Sequence, residues 1–140
     1  GARALVIGYG RLGKALAQRL DGLGARVTVA ARSWEALAWA QTRGLATEHT
    51  GQLTPWLCSY DLVVNTAPAR LLGREQLAAL RPGALVIDLA SKPGGVDFEA
   101  AAQLGVKAVW ALSLPGKVAP VSAGRYIMDT VYHIMEELGE

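Results

Sequence analysis

Residues 4–13 read Ala-Leu-Val-Ile-Gly-Tyr-Gly-Arg-Leu-Gly, and this stretch decides the fold class. Its four leading apolar residues predict a short buried strand, which a complete G-x-G-x-x-G motif follows at once. Leucines at positions 12, 16, 20 and 23 then recur at helical spacing and stop at Gly24. A strand, a glycine loop and a helix in direct succession are typical of a dinucleotide-binding domain.

The remaining chain repeats this unit of strand, turn and helix about every 25 residues. Strands are predicted at residues 4–8, 26–31, 62–65, 85–89 and 106–110, with a weaker candidate at 45–47. Helices are predicted at 34–43, 74–80, 97–104 and 122–138. The strands are continuous apolar runs, as expected when both faces of a parallel sheet are buried. We therefore predict one α/β domain over residues 1–140, with a doubly wound, mostly parallel sheet of the Rossmann type.

The composition excludes several other classes of protein. Of the 140 residues, 51% are hydrophobic, and the net charge of +2 is too small and scattered for a nucleic-acid-binding surface. The single cysteine, Cys58, excludes a disulfide framework or a cysteine zinc site, and we expect it to be at least half-buried. Without a membrane span or a signal peptide, the chain is expected to be cytoplasmic, with no metal, membrane or nucleic-acid partner.

The three glycines of the loop have separate predicted roles. Gly8 permits the tight turn, Gly10 lets a pyrophosphate approach the backbone, and Gly13 lets the helix pack on the strand. The free N–H groups and the dipole of the helix then bind the phosphates. An ordinary glycine-rich turn is the alternative. The cofactor contacts predicted here are Gly8, Tyr9, Gly10, Arg11, Leu12 and Gly13.

The end of the second strand indicates which dinucleotide binds. A site for NAD usually places a carboxylate there, on the ribose 2′-hydroxyl, but this chain has Ala31, Arg32 and Ser33. Arg32 can pair with a 2′-phosphate, and the Ser33 hydroxyl can donate to it. The sequence therefore favours NADP(H) over NAD(H). The alternative is that Arg32 only lies along the surface beside the helix start.

The exit of the next apolar strand also belongs to the predicted site. Thr66, Ala67 and Pro68 leave the carboxyl end of this strand, where ligands of parallel sheets bind. We expect these three residues to border the nicotinamide half of the cofactor. A plain strand exit that contains a proline is the alternative.

Two later segments, residues 88–98 and 114–124, each combine Pro- and Gly-rich backbone with one lysine. Both are expected to face the same crevice, and cations beside a nicotinamide suit a substrate that bears carboxylates. Lys92 and Lys117 are therefore the candidates for carboxylate recognition, with Ser91 as a hydrogen-bond donor. The alternative for each lysine is a solvated loop cation.

Several other polar and aromatic residues are not expected to be catalytic. Asp88 ends a strand and is predicted to cap a loop rather than to act as a base. His49, in a polar loop, and His133, within the last helix, are not expected at the binding edge. The tryptophans share no stripe and are expected to be packing residues, although the one that ends the last strand can also border the cleft or the absent domain. They are Trp34, Trp39, Trp56 and Trp110.

Together these segments resemble the A-subunit family of dipicolinate synthase, in its C-terminal dinucleotide-binding domain. Residues 87–99 and 114–124 carry the resemblance, and the glycine loop, residues 27–32 and residues 65–68 fit it. The resemblance implies an NADP(H)-linked conversion of dihydrodipicolinate to dipicolinate (pyridine-2,6-dicarboxylate) in spore formation, and the implied partner is a flavoprotein-like B subunit. It also implies an N-terminal substrate domain that these residues lack, so we expect a fragment that is inactive alone.

Other interpretations stay open at this point. Arg32-Ser33 and the turn at residues 115–120 also resemble the NADP domain of the bifunctional methylenetetrahydrofolate dehydrogenase type. Further alternatives are a dehydrogenase of 2-hydroxy acids, a nucleotide-sensing module that regulates an attached domain, and a structural partner with a degenerate site. The apolar face of the helix at 122–138 predicts self-association as a homo-oligomer.

Overall fold

The structure is a computed structural model that describes residues 2–90, 94–110 and 129. Strands and helices alternate along it. The strands are β1 (Arg3–Ile7), β2 (Arg26–Ala31), β3 (Ala46–His49), β4 (Leu62–Asn65), β5 (Leu85–Asp88) and β6 (Lys107–Trp110). The α-helices are α1 (Arg11–Gly22), α2 (Trp34–Thr42), α3 (Arg74–Ala78) and α4 (Phe98–Leu104). Two short 3-10 helices, Thr50–Gln52 and Thr54–Ser59, lie between β3 and β4.

Six strands of the described residues form one sheet in the order β3-β2-β1-β4-β5-β6. Every neighbouring pair is parallel. The strand order reverses between β1 and β4, which opens a crevice at the carboxyl ends of the strands. This confirms the predicted doubly wound fold of the Rossmann type, with a sheet that is wholly parallel in this part of the chain.

Helices cover both faces of the sheet, which explains the continuous apolar strands. Leu5 and Ile7 of β1 point into a core that Leu77 of α3 shares, whereas Val6 packs with Leu16 of α1 on the opposite face. All three β1 side chains are fully buried. Successive residues of a strand face opposite sides, so both sides of β1 must be apolar.

The helix ends follow the local sequence. Ser33 caps α2 by accepting a hydrogen bond from the backbone N–H of Ala36 at 3.2 Å, and Asp97 caps α4 in the same way from Ala100 at 3.1 Å. Gly105 follows α4 with a φ of 73°, in the left-handed region where glycine ends a helix without strain. No helix of the described residues is both long enough and apolar enough to cross a membrane.

Several packing predictions were wrong. The side chains of Trp34, Trp39 and Trp56 are 72%, 58% and 53% exposed, and Cys58 is exposed as well. In α2 the buried positions belong to Leu37 and Ala40, which leaves both of its tryptophans on the solvent side. Trp56 and Cys58 lie in a 3-10 helix whose one buried residue is Leu57.

Two predicted helices need comment. In α1 the middle leucines, Leu16 and Leu20, are buried, whereas Leu12 and Leu23 at its ends are nearly half-exposed. The predicted helix at 122–138, with His133, lies outside the described residues except for residue 129, which is helical.

Candidate functional site

The glycine loop joins β1 to α1 in a turn that only glycines can form. Gly8 has a φ of 100°, and its N–H donates to the Ala30 carbonyl of the neighbouring strand at 2.7 Å. A Cβ on Gly13 would collide with the carbonyl oxygen of Gly8. The predicted roles of Gly8 in the turn and of Gly13 in packing are therefore visible in the structure.

The N-terminus of α1 has the features of an anion site. Its N-cap residue is Gly10, no side chain caps the helix, and its first turn contains no acidic residue. The first intrahelical bond runs from the Lys14 N–H to the Gly10 carbonyl at 2.9 Å, so the three preceding N–H groups need other partners. A Cβ on Gly10 would meet nothing within 4 Å, which leaves open space for a phosphate to approach.

All twelve predicted cofactor contacts line one cleft of about 680 Å³ at this edge of the sheet. They come from three turns: the glycine loop, the exit of β2 and the exit of β4. Four lining residues were not predicted, and of these Thr50 adds a hydroxyl beside the exit of β2. The twelve predicted residues are Gly8, Tyr9, Gly10, Arg11, Leu12, Gly13, Ala31, Arg32, Ser33, Thr66, Ala67 and Pro68. The four others are Ala36, Thr50, Ala69 and Leu71.

The exit of β2 presents a cation and a hydroxyl to this cleft. Arg32 and Ser33 are exposed, and no carboxylate is among the lining residues. The Ser33 oxygen accepts the Ala36 N–H, so its hydroxyl proton is left to donate to a ligand. This end of the cleft therefore presents hydrogen-bond donors and a positive charge, and no carboxylate.

Thr66 supports the glycine loop from below. Its hydroxyl donates to the Ile7 carbonyl at 2.7 Å, and its backbone N–H donates to the same oxygen at 2.8 Å. The same hydroxyl lies where a Cβ on Gly8 would have to go. Thr66 thus both lines the cleft and fixes β4 against the end of β1.

The prediction that His49 lies in a loop was wrong, although its side chain does not line the cleft. His49 is the last residue of β3, where it pairs with Ala31 of β2. Its Nε2 lies 2.9 Å from the Arg32 carbonyl, and its Nδ1 accepts the Gly51 N–H at 3.1 Å. The polar Glu48 and His49 led to a predicted strand that ends two residues too early. An edge strand with half-exposed faces tolerates such residues.

Asp88 is a fully buried carboxylate at the end of β5. One oxygen accepts the Ala90 N–H at 3.1 Å, and the other accepts the Gly95 and Val96 N–H groups at 2.7 and 3.2 Å. The Trp110 indole donates to the Ala90 carbonyl at 3.1 Å. Asp88 therefore caps the segment that follows β5, as the sequence predicted.

The three predicted catalytic residues, Ser91, Lys92 and Lys117, lie outside the described residues. Ala90 and Gly95, which are described residues on either side of the first two, bind the same Asp88 carboxylate. Among the described residues, no group of three or more His, Cys, Asp or Glu side chains is arranged to bind a metal ion.

Comparison with known proteins identifies the family. The model of the family described as "D-isomer specific 2-hydroxyacid dehydrogenase, NAD binding domain" matches residues 1–102. The chain belongs to this family. Membership in this dehydrogenase family accounts for the glycine loop and the parallel sheet, and it indicates a site for NAD or NADP without specifying which.

Individual relatives confirm the predicted resemblance to dipicolinate synthase. The chain is 38% identical to the A subunit of dipicolinate synthase from Bacillus subtilis (strain 168), over 99% of its own length and 46% of that protein. The crystal structure of this Bacillus subtilis protein matches with a TM-score of 0.81 and 38% identity, over 99% of this chain and 47% of that one. The corresponding Bacillus halodurans structure matches with a TM-score of 0.81 and 40% identity, over 96% and 46%. The chain thus spans about half the length of these relatives.

Proposed function

We propose that this chain is the NADP(H)-binding domain of an oxidoreductase that converts dihydrodipicolinate to dipicolinate in spore formation. One observation carries the proposal: the cleft at the glycine loop has Arg32 and Ser33 where an NAD site has a carboxylate. The similarity of the chain, over 99% of its length, to the A subunit of dipicolinate synthase supports the substrate.

Different residues of the chain bind different parts of the cofactor. The free N–H groups at the start of α1 bind the pyrophosphate, with Gly10 leaving the room for it. The Arg32 guanidinium pairs with the 2′-phosphate, and the Ser33 hydroxyl donates to it. Thr66, Ala67 and Pro68 border the nicotinamide. When bound, NADP⁺ supplies a hydride acceptor, and loss of a hydride and a proton makes the dihydropyridine ring aromatic.

The substrate side of the proposal uses the two lysine segments. Lys92 and Lys117 bind the two carboxylates, and Ser91 donates a hydrogen bond, which orients the ring toward the nicotinamide. The position of Ala90 at the carboxyl end of β5 supports this arrangement. Because the relatives are about twice as long, we further propose that an N-terminal domain completes the substrate cleft and that a flavoprotein-like B subunit is the partner.

A second candidate is a dehydrogenase of 2-hydroxy acids, which the name of the family favours. Such enzymes use a histidine paired with a carboxylate. His49 does not fit this role, because both of its ring nitrogens bind backbone groups at the far side of the cleft from β5. Among the described residues, no histidine therefore fits this role.

The test measures NADPH formation by the full-length protein, together with its B subunit, from dihydrodipicolinate and NADP⁺. We expect dipicolinate as the product, and a strongly raised KM in Lys92→Met and Lys117→Met. Lys107→Met is the matched control, since this exposed lysine is the first residue of β6 and lies at the amino ends of the strands, away from the cleft. Absence of dipicolinate would refute the substrate assignment.

Titration with pyridine-2,6-dicarboxylate in the presence of NADP⁺ separates the enzyme from a nucleotide-sensing module. We expect a ternary complex of the full-length protein with both ligands. A protein that binds NADP⁺ but never the dicarboxylate would instead be a sensor.

A further inference from the structure

A histidine joins two turns at the adenosine end of the cleft. The His49 ring lies between the Arg32 carbonyl, 2.9 Å from its Nε2, and the Gly51 N–H, 3.1 Å from its Nδ1. Arg32 belongs to the turn after β2, and Gly51 belongs to the 3-10 helix after β3. The two turns are thereby connected through one side chain.

The two partners determine which ring nitrogen donates and which accepts. A carbonyl can only accept a hydrogen bond, so Nε2 must carry a proton toward Arg32. The Gly51 N–H can only donate, so Nδ1 must present its lone pair. In this arrangement Nε2 donates and Nδ1 accepts, so both ring nitrogens have a hydrogen-bond partner without a ligand.

The contacts of His49 place it behind the cleft rather than in it. Arg32 and Thr50 line the cleft, whereas His49 does not. The ring also packs against Trp34 in a tilted pair, with 4.9 Å between ring centroids and 34° between the ring planes. Trp34 is the first residue of α2, so this contact also fixes the start of the helix next to Arg32.

We propose that His49 is a positioning residue that holds the Arg32 backbone and thereby sets the preference for the 2′-phosphate of NADP(H). The inference rests on the proposed role of Arg32. An arginine side chain loses much rotamer freedom when it binds. Because His49 already fixes the backbone of Arg32, binding adds no entropy cost for ordering that backbone. The resulting gain in affinity appears only with a ligand that contacts the Arg32 side chain.

Two substitutions separate the contacts of the ring. In His49→Gln the amide nitrogen lies three bonds from Cβ, as Nε2 does, so it can still donate to the Arg32 carbonyl. In His49→Asn the amide oxygen lies two bonds from Cβ, as Nδ1 does, so it can accept only from Gly51. His49→Phe keeps the contact with Trp34 and removes both hydrogen bonds.

The experiment measures dissociation constants of NADPH and NADH by calorimetry, with thermal unfolding to establish that each variant is folded. We expect His49→Asn and His49→Phe to weaken NADPH binding about 3- to 10-fold, as the loss of one net hydrogen bond would. NADH binding should change less than about twofold, and His49→Gln should retain most of the NADPH affinity. Equal losses for both nucleotides, or equal behaviour of Gln and Asn, would overturn the proposal.

Gln41→Ala is the matched control. It removes the hydrogen bond of 2.9 Å from Gln41 to Thr47, which also connects α2 to β3 but does not touch Arg32. We expect this variant to keep the NADPH preference. If it loses the preference as His49→Asn does, any weakened contact between α2 and β3 has the same effect, and the inference fails.

If Arg32→Ala leaves the preference unchanged, the proposed cofactor itself is wrong. If Arg32→Ala abolishes it and the His49 variants do not alter it, only the role of His49 is wrong.

Discussion

The Asn65 side-chain amide donates a hydrogen bond to the Asp88 carboxylate at 3.1 Å, and both residues are fully buried. The same amide nitrogen donates to the Ala67 carbonyl at 3.0 Å, and its oxygen accepts the Ala67 N–H at 3.3 Å. These hydrogen bonds connect the carboxyl ends of β4 and β5 next to the cleft. Each carboxylate oxygen of Asp88 also accepts backbone N–H groups, so this buried anion is satisfied by dipoles.

Asp88→Asn should destabilise the fold strongly. The new asparagine would have an NH₂ group in place of one carboxylate oxygen of Asp88. This NH₂ group would face other donors, either the Asn65 amide or the Gly95 and Val96 N–H groups. We expect the free energy of unfolding to fall by about 2–3 kcal/mol, measured by urea denaturation, because buried donors lose their acceptor.

The matched control for Asp88→Asn is Arg81→Ala. It breaks an ion pair of 3.0 Å with Asp61 in which the two side chains are 48% and 26% exposed. Such a pair contributes less than about 1 kcal/mol. Equal losses in the two variants would show that the Asp88 network contributes no more than a surface contact.

The glycine loop predicts different effects on stability at Gly13 and Gly10. Gly13→Ala places a Cβ against the Gly8 carbonyl, so it should cost about 1–3 kcal/mol of stability and also weaken dinucleotide binding. Gly10→Ala meets nothing within 4 Å, so it should leave stability intact and still abolish binding, since its Cβ occupies the phosphate approach. Thermal unfolding and calorimetry measure the two effects.

Gly22→Ala controls for the change from glycine to alanine within α1. Its Cβ also has open space, but it lies at the other end of the helix, away from the cleft. We expect a gain of about 0.5–1 kcal/mol and unchanged binding. If Gly10→Ala bound NADPH as well as Gly22→Ala does, the pyrophosphate would not lie on this loop.

Thr66→Val tests the support beneath the glycine loop. It removes the hydroxyl bond to Ile7 and puts a larger methyl group against Gly8, so stability should fall by about 1–2 kcal/mol. Dinucleotide binding should weaken with it. Thr66→Ser keeps the hydroxyl and should retain both properties. A serine variant as impaired as the valine variant would argue against the hydrogen bond as the cause.

Most of the fold could be predicted from local sequence. The bounds predicted for β2 and β4 agree with the structure, and the twelve residues predicted to contact the cofactor share one cleft. This agreement arises because the glycine motif and the buried strands are contiguous in the chain. The roles of Gly8 and Gly13 follow from a turn whose residues are all neighbours.

What could not be predicted depends on contacts between distant segments. His49 reaches Arg32 across 17 positions, and its strand is an edge strand without an apolar signature. The close approach of Gly95 to Asn65 and of Gly94 to Asp88 has no local signal, since two glycines in a loop also fit an ordinary turn. The exposure of Trp34 and Trp39 was missed because large aromatic residues are usually buried.

The most direct test of the account compares NADPH and NADH binding, by calorimetry, in the wild-type chain and in Arg32→Asp. A charge-assisted pair with the 2′-phosphate predicts that the wild type binds NADPH at least about tenfold more tightly than NADH. The carboxylate of the variant repels that phosphate and can accept from a ribose hydroxyl, so the preference should reverse. Equal affinities in the wild type, or an unchanged preference in Arg32→Asp, would contradict the assignment of this cleft to NADP(H).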